Sequence, residues 1–406
     1  MKAWADPMSR TVFYNAEIVL EHETRRGGVL IEGDEIAQVF NGPDFPAGLA
    51  AGRKVDLGGA YLAPGMIDIH IHGSAGVDCQ EADHGRLARL SEFLLAEGVT
   101  GYFATFVPTD QAGYFAAISS IESLIEVQEE KHPPAGARVL GIHFEGPFAN
   151  ENRCGALNRK HFRSYEGDPR SVDIFCGKAP GSCARLMTLA PEVRGGIDLT
   201  RELVGRGVRV FIGHSQADLE TLDLAVEAGA RHITHFPNAL DPLHHRKPGA
   251  FGWGLLRKDV SLDCIADFHH VHPLMLRLIY ESKGADRVAL ISDAIKPTGM
   301  GDGIYSVWGE KIAVRDGRTS MVEGAAQGAI AGSVITMRQA LKNIVSLGVP
   351  VHEAFRMGSL VAARAAGVDK ERGSIVRGKK ADLIAYGEEF DVRLALRDGH
   401  IALDAR

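Results

Sequence analysis

The stretch Met66-Ile67-Asp68-Ile69-His70-Ile71-His72 decides the fold. Its side chains alternate with period two, the pattern of a β-strand. Ile67, Ile69 and Ile71 make one face; Asp68, His70 and His72 make the other. The isoleucines need helices packed over them. The polar face needs partners or a cation, because an unpaired imidazole or carboxylate is costly to bury. A strand covered on both faces belongs to a parallel sheet enclosed by helices.

Outward from this strand the same kind of segment recurs. It appears as GYFAT (101–105), RVLGIHFE (138–145), CARLMTLAP (183–191), VRVFIGH (208–214), HITHF (232–236), SLDCIAD (261–267) and VALISDA (288–294). GAIAG (328–332) is a ninth candidate strand. Segments of helical period lie between them, such as HGRLARLSEFLLAEG (84–98) and ADLETLDLAVEAG (217–229). Repeated β-then-α order predicts a parallel sheet, and a chain of 406 residues accommodates a (β/α)₈ TIM barrel of roughly 250 residues plus a companion. The two ends have a different texture of short strands and turns, with Glu32-Gly33-Asp34-Glu35 reading as a hairpin turn. They predict a small β-sandwich domain built from both termini, residues 1–62 plus 361–406, around a barrel over 63–360.

Composition narrows the functional classes. The net charge is −7, from 45 basic and 52 acidic residues, and no basic run favours nucleic acid. No run of 18 apolar residues predicts a membrane span. The five cysteines, Cys79, Cys154, Cys176, Cys183 and Cys264, are scattered, which predicts free thiols in a reducing compartment. MKAWADPMSRTV lacks an apolar signal region, so a cytoplasmic location is expected.

The candidate strands end in metal-binding or acidic side chains: His70 and His72, Glu145, His214, His235 and Asp293. In a parallel barrel those ends meet at one face. Imidazole with carboxylate suits Zn²⁺, and also Fe²⁺, Mn²⁺ or Co²⁺. Glu145, His214 and His235 make a three-ligand site with an open position for water. His70, His72 and Asp293 complete a second site if Glu145 bridges, with two ions about 3.5–4 Å apart. One or two ions both fit the sequence. His143 either orients Glu145 or fills the barrel, Asp68 reads as core or support, and Asp302 in GMGDG reads as a loop over the site or a plain turn. His244, His245, Arg246 and Lys247 form a local positive cluster that favours an anionic substrate.

The ordered series PGMIDIHIHG, HFEGPF, IGHS, THFPNAL, ISDA and AGS resembles the amidohydrolase superfamily, and within it the N-acetylglucosamine-6-phosphate deacetylases. The resemblance runs over nearly the whole chain, including the closing GKKADLIAY. It implies Glu145, His214 and His235 as core metal ligands, with His70 and His72 binding a further metal in some members. It implies Asp293 as the catalytic acid/base and His270 as a catalytic, substrate-contacting histidine, with His269 as the adjacent alternative. Arg246 matches an arginine that grips the sugar phosphate, often from the neighbouring subunit of a homodimer. Asn238 and Ala239 match a pair whose backbone amides approach the phosphate. The implied reaction is metal-dependent hydrolysis of the N-acetyl amide of an amino sugar phosphate.

One position departs from the pattern. The run after EGP usually carries a substrate-contacting histidine; here it is Arg153-Cys154-Gly155-Ala156-Leu157. Leu157 cannot donate a hydrogen bond, so another N-acylated amino sugar, or a different cyclic or linear amide, stays open as substrate. His161 and Arg153 are the nearby candidates to compensate. A barrel that only senses a sugar is the non-enzymatic alternative.

Overall fold

The computed structural model describes residues 10–45, 52–131, 134–177, 183–323 and 327–406. Eight parallel strands form the barrel: β1 (Met66–Ile71), β2 (Val99–Phe106), β3 (Arg138–Glu145), β4 (Ala184–Leu189), β5 (Arg209–Ile212), β6 (His232–Ile233), β7 (Ser261–Ile265) and β8 (Val288–Ile291). Strands consecutive in this series pair in parallel. A bridge between Ile71 and Ala294 closes the ring, supported by Asp293 N–H donating to His70 O at 2.9 Å.

The alternation of β1 is realised as the sequence predicts. All six of its residues are buried, and Ile67, Ile69 and Ile71 pack in one apolar core with Leu87, Leu90 and Leu94. Those leucines lie on the first covering helix, His84–Ala96. Three covering helices begin with the same device: Asp83, Asp110 and Asp218 each accept a first-turn N–H through the side chain. Such a cap contributes about 1 kcal/mol.

The ninth candidate strand, GAIAG, is not a strand. Gly328 and Gly332 have φ of 82° and 55°, a left-handed backbone that cannot continue an extended ladder. An unexpected three-stranded antiparallel sheet precedes it: Gly303–Val307, Glu310–Arg315 and Arg318–Met321. GMGDG leads into this sheet, and Asp302 accepts the N–H of Asp316 there.

The termini build one continuous eight-stranded sheet. Arg10–Val19, Thr24–Glu32, Glu35–Asn41, Arg53–Asp56 and Tyr61–Pro64 join Leu383–Tyr386, Val392–Arg397 and His400–Asp404. The hairpin at 32–35 pairs Glu32 with Glu35. Ile31 and Ile36 near one edge share a small core with Leu394 and Leu396 near the other, so the sheet curls around its own apolar centre. Val361, Ala362, Ala363 and Ala366 pack instead with the barrel core. The five cysteines are free. Among the described residues, no helix is long and apolar enough to cross a membrane.

Candidate metal centre

The six side chains singled out at strand ends converge. Glu145 is the last residue of β3, and His70 lies within β1 with His72 just beyond it. His214, His235 and Asp293 do not sit in the ladders as expected. Each lies two residues past its strand, after Ile212, Ile233 and Ile291, and each has a positive φ of 49°, 33° and 48°. Release from the ladder permits that backbone, which turns each side chain across the barrel mouth.

Two groups share Glu145: one with His70 and His72, the other with His214 and His235. Glu145 Oε1 lies 2.8 Å from His214 Nε2 and 3.0 Å from His235 Nε2. Its Oε2 lies 3.3 Å from His72 Nε2. Asp293 Oδ1 is 3.3 Å from His72 Nε2 and 3.6 Å from His70 Nε2. The carboxylate of Glu145 therefore spans both groups, and Asp293 adjoins the first.

These residues fit a divalent cation. Nε2 atoms face one another in pairs, His70 to His72 at 3.3 Å and His214 to His235 at 3.1 Å. Each gap admits one shared proton or one cation, but neither two protons nor two facing lone pairs. A shared cation removes the conflict, since tetrahedral coordination at a metal–nitrogen distance near 2.05 Å gives ligand edges of about 3.3 Å. His214 is prepared for this role: its Nδ1–H donates to Arg153 O at 2.7 Å, so Nε2 is the atom turned to Glu145 and to a cation.

The field of the site is anionic. Burial pushes Glu145 up, yet hydrogen bonds from His214, His235, His70 and His72 hold it well below the usual carboxylate range. Burial likewise opposes ionisation of Asp293, and His72 and His70 outweigh it. His72 would be depressed by burial, but hydrogen bonds and charge from Asp293 and Glu145 lift it to about 10. The pull that holds a proton there is the pull that holds a metal ion.

Beneath the cluster a neutral relay fixes the barrel floor. Burial, with the charge of His70 adding to it, keeps His143 well below its ordinary value. Its Nδ1–H donates to Ile69 O at 2.8 Å, so Nε2 accepts the hydroxyl of Thr188, also at 2.8 Å. His143 thus positions β1 rather than touching Glu145. Asp68 accepts the Ser292 hydroxyl at 2.5 Å and supports the turn into Asp293; burial raises it to about 6 against those bonds.

Two important residues escaped the sequence reading. Asp263, fully buried on β7, accepts His232 Nε2–H at 2.8 Å and also the backbone N–H of His235. An acidic residue inside the apolar run SLDCI was the available signal. Trp308 sits in the turn of the unexpected three-stranded sheet with φ of 52°, its ring edge-on to His72 at 5.0 Å. Its Nε1–H donates to Asp78 at 3.1 Å. Trp308 lines a cavity of ≈ 530 Å³ with Leu157, Arg159 and His161. Gly155 connects that cavity to the cluster: a Cβ on it would lie 3.7 Å from His214 Cε1.

The other candidates are placed as follows. His270 is partly buried and its Nδ1 bonds Asp267 at 2.6 Å, whereas His269 is exposed. Asn238 does not offer its amide to a ligand as expected, because that N–H donates to His235 O at 2.7 Å. Ala239 has a φ of 55°, and its carbonyl accepts the N–H of Ser215. Arg246 is exposed and bonds its neighbour His245 at 2.6 Å. Among the described residues it makes no ion pair with the cluster. Arg153 pairs with Asp241, so its guanidinium is committed.

Comparison with known proteins agrees with this geometry. A family model described as "Amidohydrolase family" matches residues 61–402. The chain is 35% identical over 353 residues to the N-acetylglucosamine-6-phosphate deacetylase of Vibrio furnissii, covering 86% of this chain and 85% of that protein. It is also 35% identical to the N-acetylgalactosamine-6-phosphate deacetylase of Escherichia coli O157:H7, covering 84% and 87%. Among solved structures, a mutant N-acetyl-D-glucosamine-6-phosphate deacetylase of Mycobacterium smegmatis in complex with N-acetyl-D-glucosamine-6-phosphate superposes with a TM-score of 0.84. That pair is 28% identical, with 97% of this chain and 100% of that chain covered.

Proposed function

The chain belongs to the amidohydrolase family and is a metal-dependent amide hydrolase, and from that premise we propose that it removes the acetyl group of N-acetylglucosamine-6-phosphate. The observation that carries the reading is Glu145 held between two histidine pairs with Asp293 at 3.3 Å from His72. Zinc suits this nitrogen-and-oxygen donor set, and iron, manganese and cobalt share it. When bound, such a cation supplies a Lewis acid that makes water acidic near neutral pH.

The remaining roles belong to side chains. Asp293, ionised and facing the cluster, takes the proton of the attacking water and returns it to the departing amine. His270 has its Nδ1–H fixed by Asp267 and presents Nε2 to the substrate. Arg246 receives the phosphate, for which a planar guanidinium is better shaped than an ammonium. Its exposed loop suits a role across a homodimer interface, and Ala239 supplies the backbone approach beside it. We place the enzyme in the cytoplasm on its free thiols. We also infer a division into barrel and terminal sheet, supported by the sheet's own apolar cluster around Phe13, Val29 and Leu394.

Amine release tests the reading. N-acetylglucosamine-6-phosphate should exceed its unphosphorylated form in kcat/KM by at least about tenfold, the value of one charge-assisted contact. Equal values would remove Arg246 from phosphate recognition. Turnover only of cyclic or amino acid amides would overturn the substrate. A second reading, another N-acylated amino sugar, rests on Leu157 in the cavity wall and is separated by the galacto epimer and longer acyl groups.

A further inference from the structure

A cavity of ≈ 840 Å³ lies away from the metal centre. It lies at the opposite end of the barrel, where β5, β6 and β7 begin and the segment before β8 arrives. Arg209 opens β5, Arg231 precedes β6, Ser261 opens β7 and Arg287 precedes β8. We propose that this basal cavity binds a small phosphorylated anion, held by Arg209, Arg231 and Arg287.

Charge pairing is the first argument. Three acids line the cavity, and each pairs with another arginine: Glu21 with Arg364, itself on the wall, at 2.6 Å, Asp259 with Arg257 at 2.9 Å and Asp286 with Arg356 at 3.2 Å. Among the described residues, Arg209, Arg231 and Arg287 pair with no carboxylate. Arg231 spends donors on the carbonyls of Val226 and Ala230 and makes no direct ion pair with Asp259, whose charge it faces. Three guanidiniums without a direct carboxylate partner line one concavity in a chain of net charge −7.

The second argument is that the site is shaped for a guanidinium. A Cβ on Gly367 would fall 2.2 Å from Arg209 Nε, so the absent side chain leaves the room in which Arg209 lies. Neighbouring strands are about 4.8 Å apart, so β5 to β8 sets the three arginines across about 15 Å. That span and the volume suit a small molecule better than a polyanion. Planar guanidiniums favour phosphate oxygens.

Calorimetric titration of the metal-loaded protein with glucose-1,6-bisphosphate, and separately with inorganic phosphate, tests the site. Saturable binding of the bisphosphate is expected, weakened at least about tenfold in Arg209→Gln/Arg287→Gln. Metal content and Tm should be unchanged in that variant, and Arg246→Ala should leave this binding intact. Binding of inorganic phosphate as tight as the bisphosphate identifies free phosphate as the ligand source. No saturable binding of either probe, or equal binding by the double variant, overturns the proposal.

Discussion

Replacing Asp263 with asparagine tests how the barrel interior holds a metal ligand. The carboxylate accepts His232 Nε2–H at 2.8 Å and the His235 backbone N–H, and no water reaches it. Asparagine has the same shape but one acceptor and one donor. With its carbonyl toward His235 N–H, its amide group meets His232 Nε2. That atom accepts only after His232 shifts its proton to Nδ1 and the Ser261 hydroxyl turns to receive it. Two charge-assisted hydrogen bonds become two neutral ones. The former contribute about 1.5–3 kcal/mol each and the latter about 0.5–1.5, so the loss is about 2–3 kcal/mol. If half or more of that falls on the geometry of His235, metal affinity drops about 10–100-fold, the usual range for such supporting contacts. Chelator competition measures the affinity, and urea denaturation of metal-free protein measures the stability. An Asp263→Asn variant with wild-type values in both assays would refute the reasoning.

Three further outcomes follow from the same structure. Asp293→Asn should lower kcat about 10²–10⁴-fold while the metal at Glu145, His214 and His235 remains, checked by elemental analysis beside single-turnover kinetics; unchanged kcat removes it as the proton carrier. Trp308→Phe keeps the ring against His72 but deletes the donor to Asp78, and should cost about 2 kcal/mol in chemical denaturation. Asp398 accepts from Arg138 at 2.6 Å and Arg372 at 3.0 Å; burial opposes its charge, but the arginines hold it at about 2 against an ordinary 3.8. Its folded value is the lower one, so its stabilisation is complete above about pH 5 and is lost as pH falls from about 4 to 2. The full effect is about 2 kcal/mol, reduced because burial drives neighbouring Asp382 the other way, and Asp398→Asn should flatten the acid limb of a pH-dependent unfolding curve.

The barrel was legible where local pattern and burial agree. In β1 the period-two alternation has one physical solution, and in β3 an apolar run ends directly on Glu145. GAIAG failed because composition alone suggested a buried strand, while two glycines there take a backbone that no ladder accepts. The three-stranded sheet at 303–321 was hidden for the opposite reason: its strands are half exposed and polar, as in GIYSV and EKIAVR, and carry little core signal. Trp308 was illegible for that cause, since its meeting with His72 depends on where that sheet folds back. Asp263 was readable from its place in the strand, but the partner that ties it to the metal ligand is a backbone N–H, which leaves no trace in residue identity.

The left-handed residues explain why the metal centre stands at the strand ends rather than deeper in the barrel. A residue inside a ladder must be extended, and its side chain then points along one fixed normal, as His70 does. His214, His235 and Asp293 each adopt a backbone costing a non-glycine residue about 1–2 kcal/mol, about 3–6 kcal/mol together. That is comparable to the whole stability of an ordinary domain, so the frame must impose it. It does so through hydrogen bonds to the backbone of each residue. Asn150 N–H holds His214 O at 3.0 Å, Asp263 holds His235 N–H, and Asp293 is pinned by His70 O and by Ser333 N–H at 2.7 Å. Each bond reaches from a different segment, and the one between Asp293 and His70 forms only where the ring closes. The metal-binding geometry is therefore a property of the assembled barrel and of no segment within it.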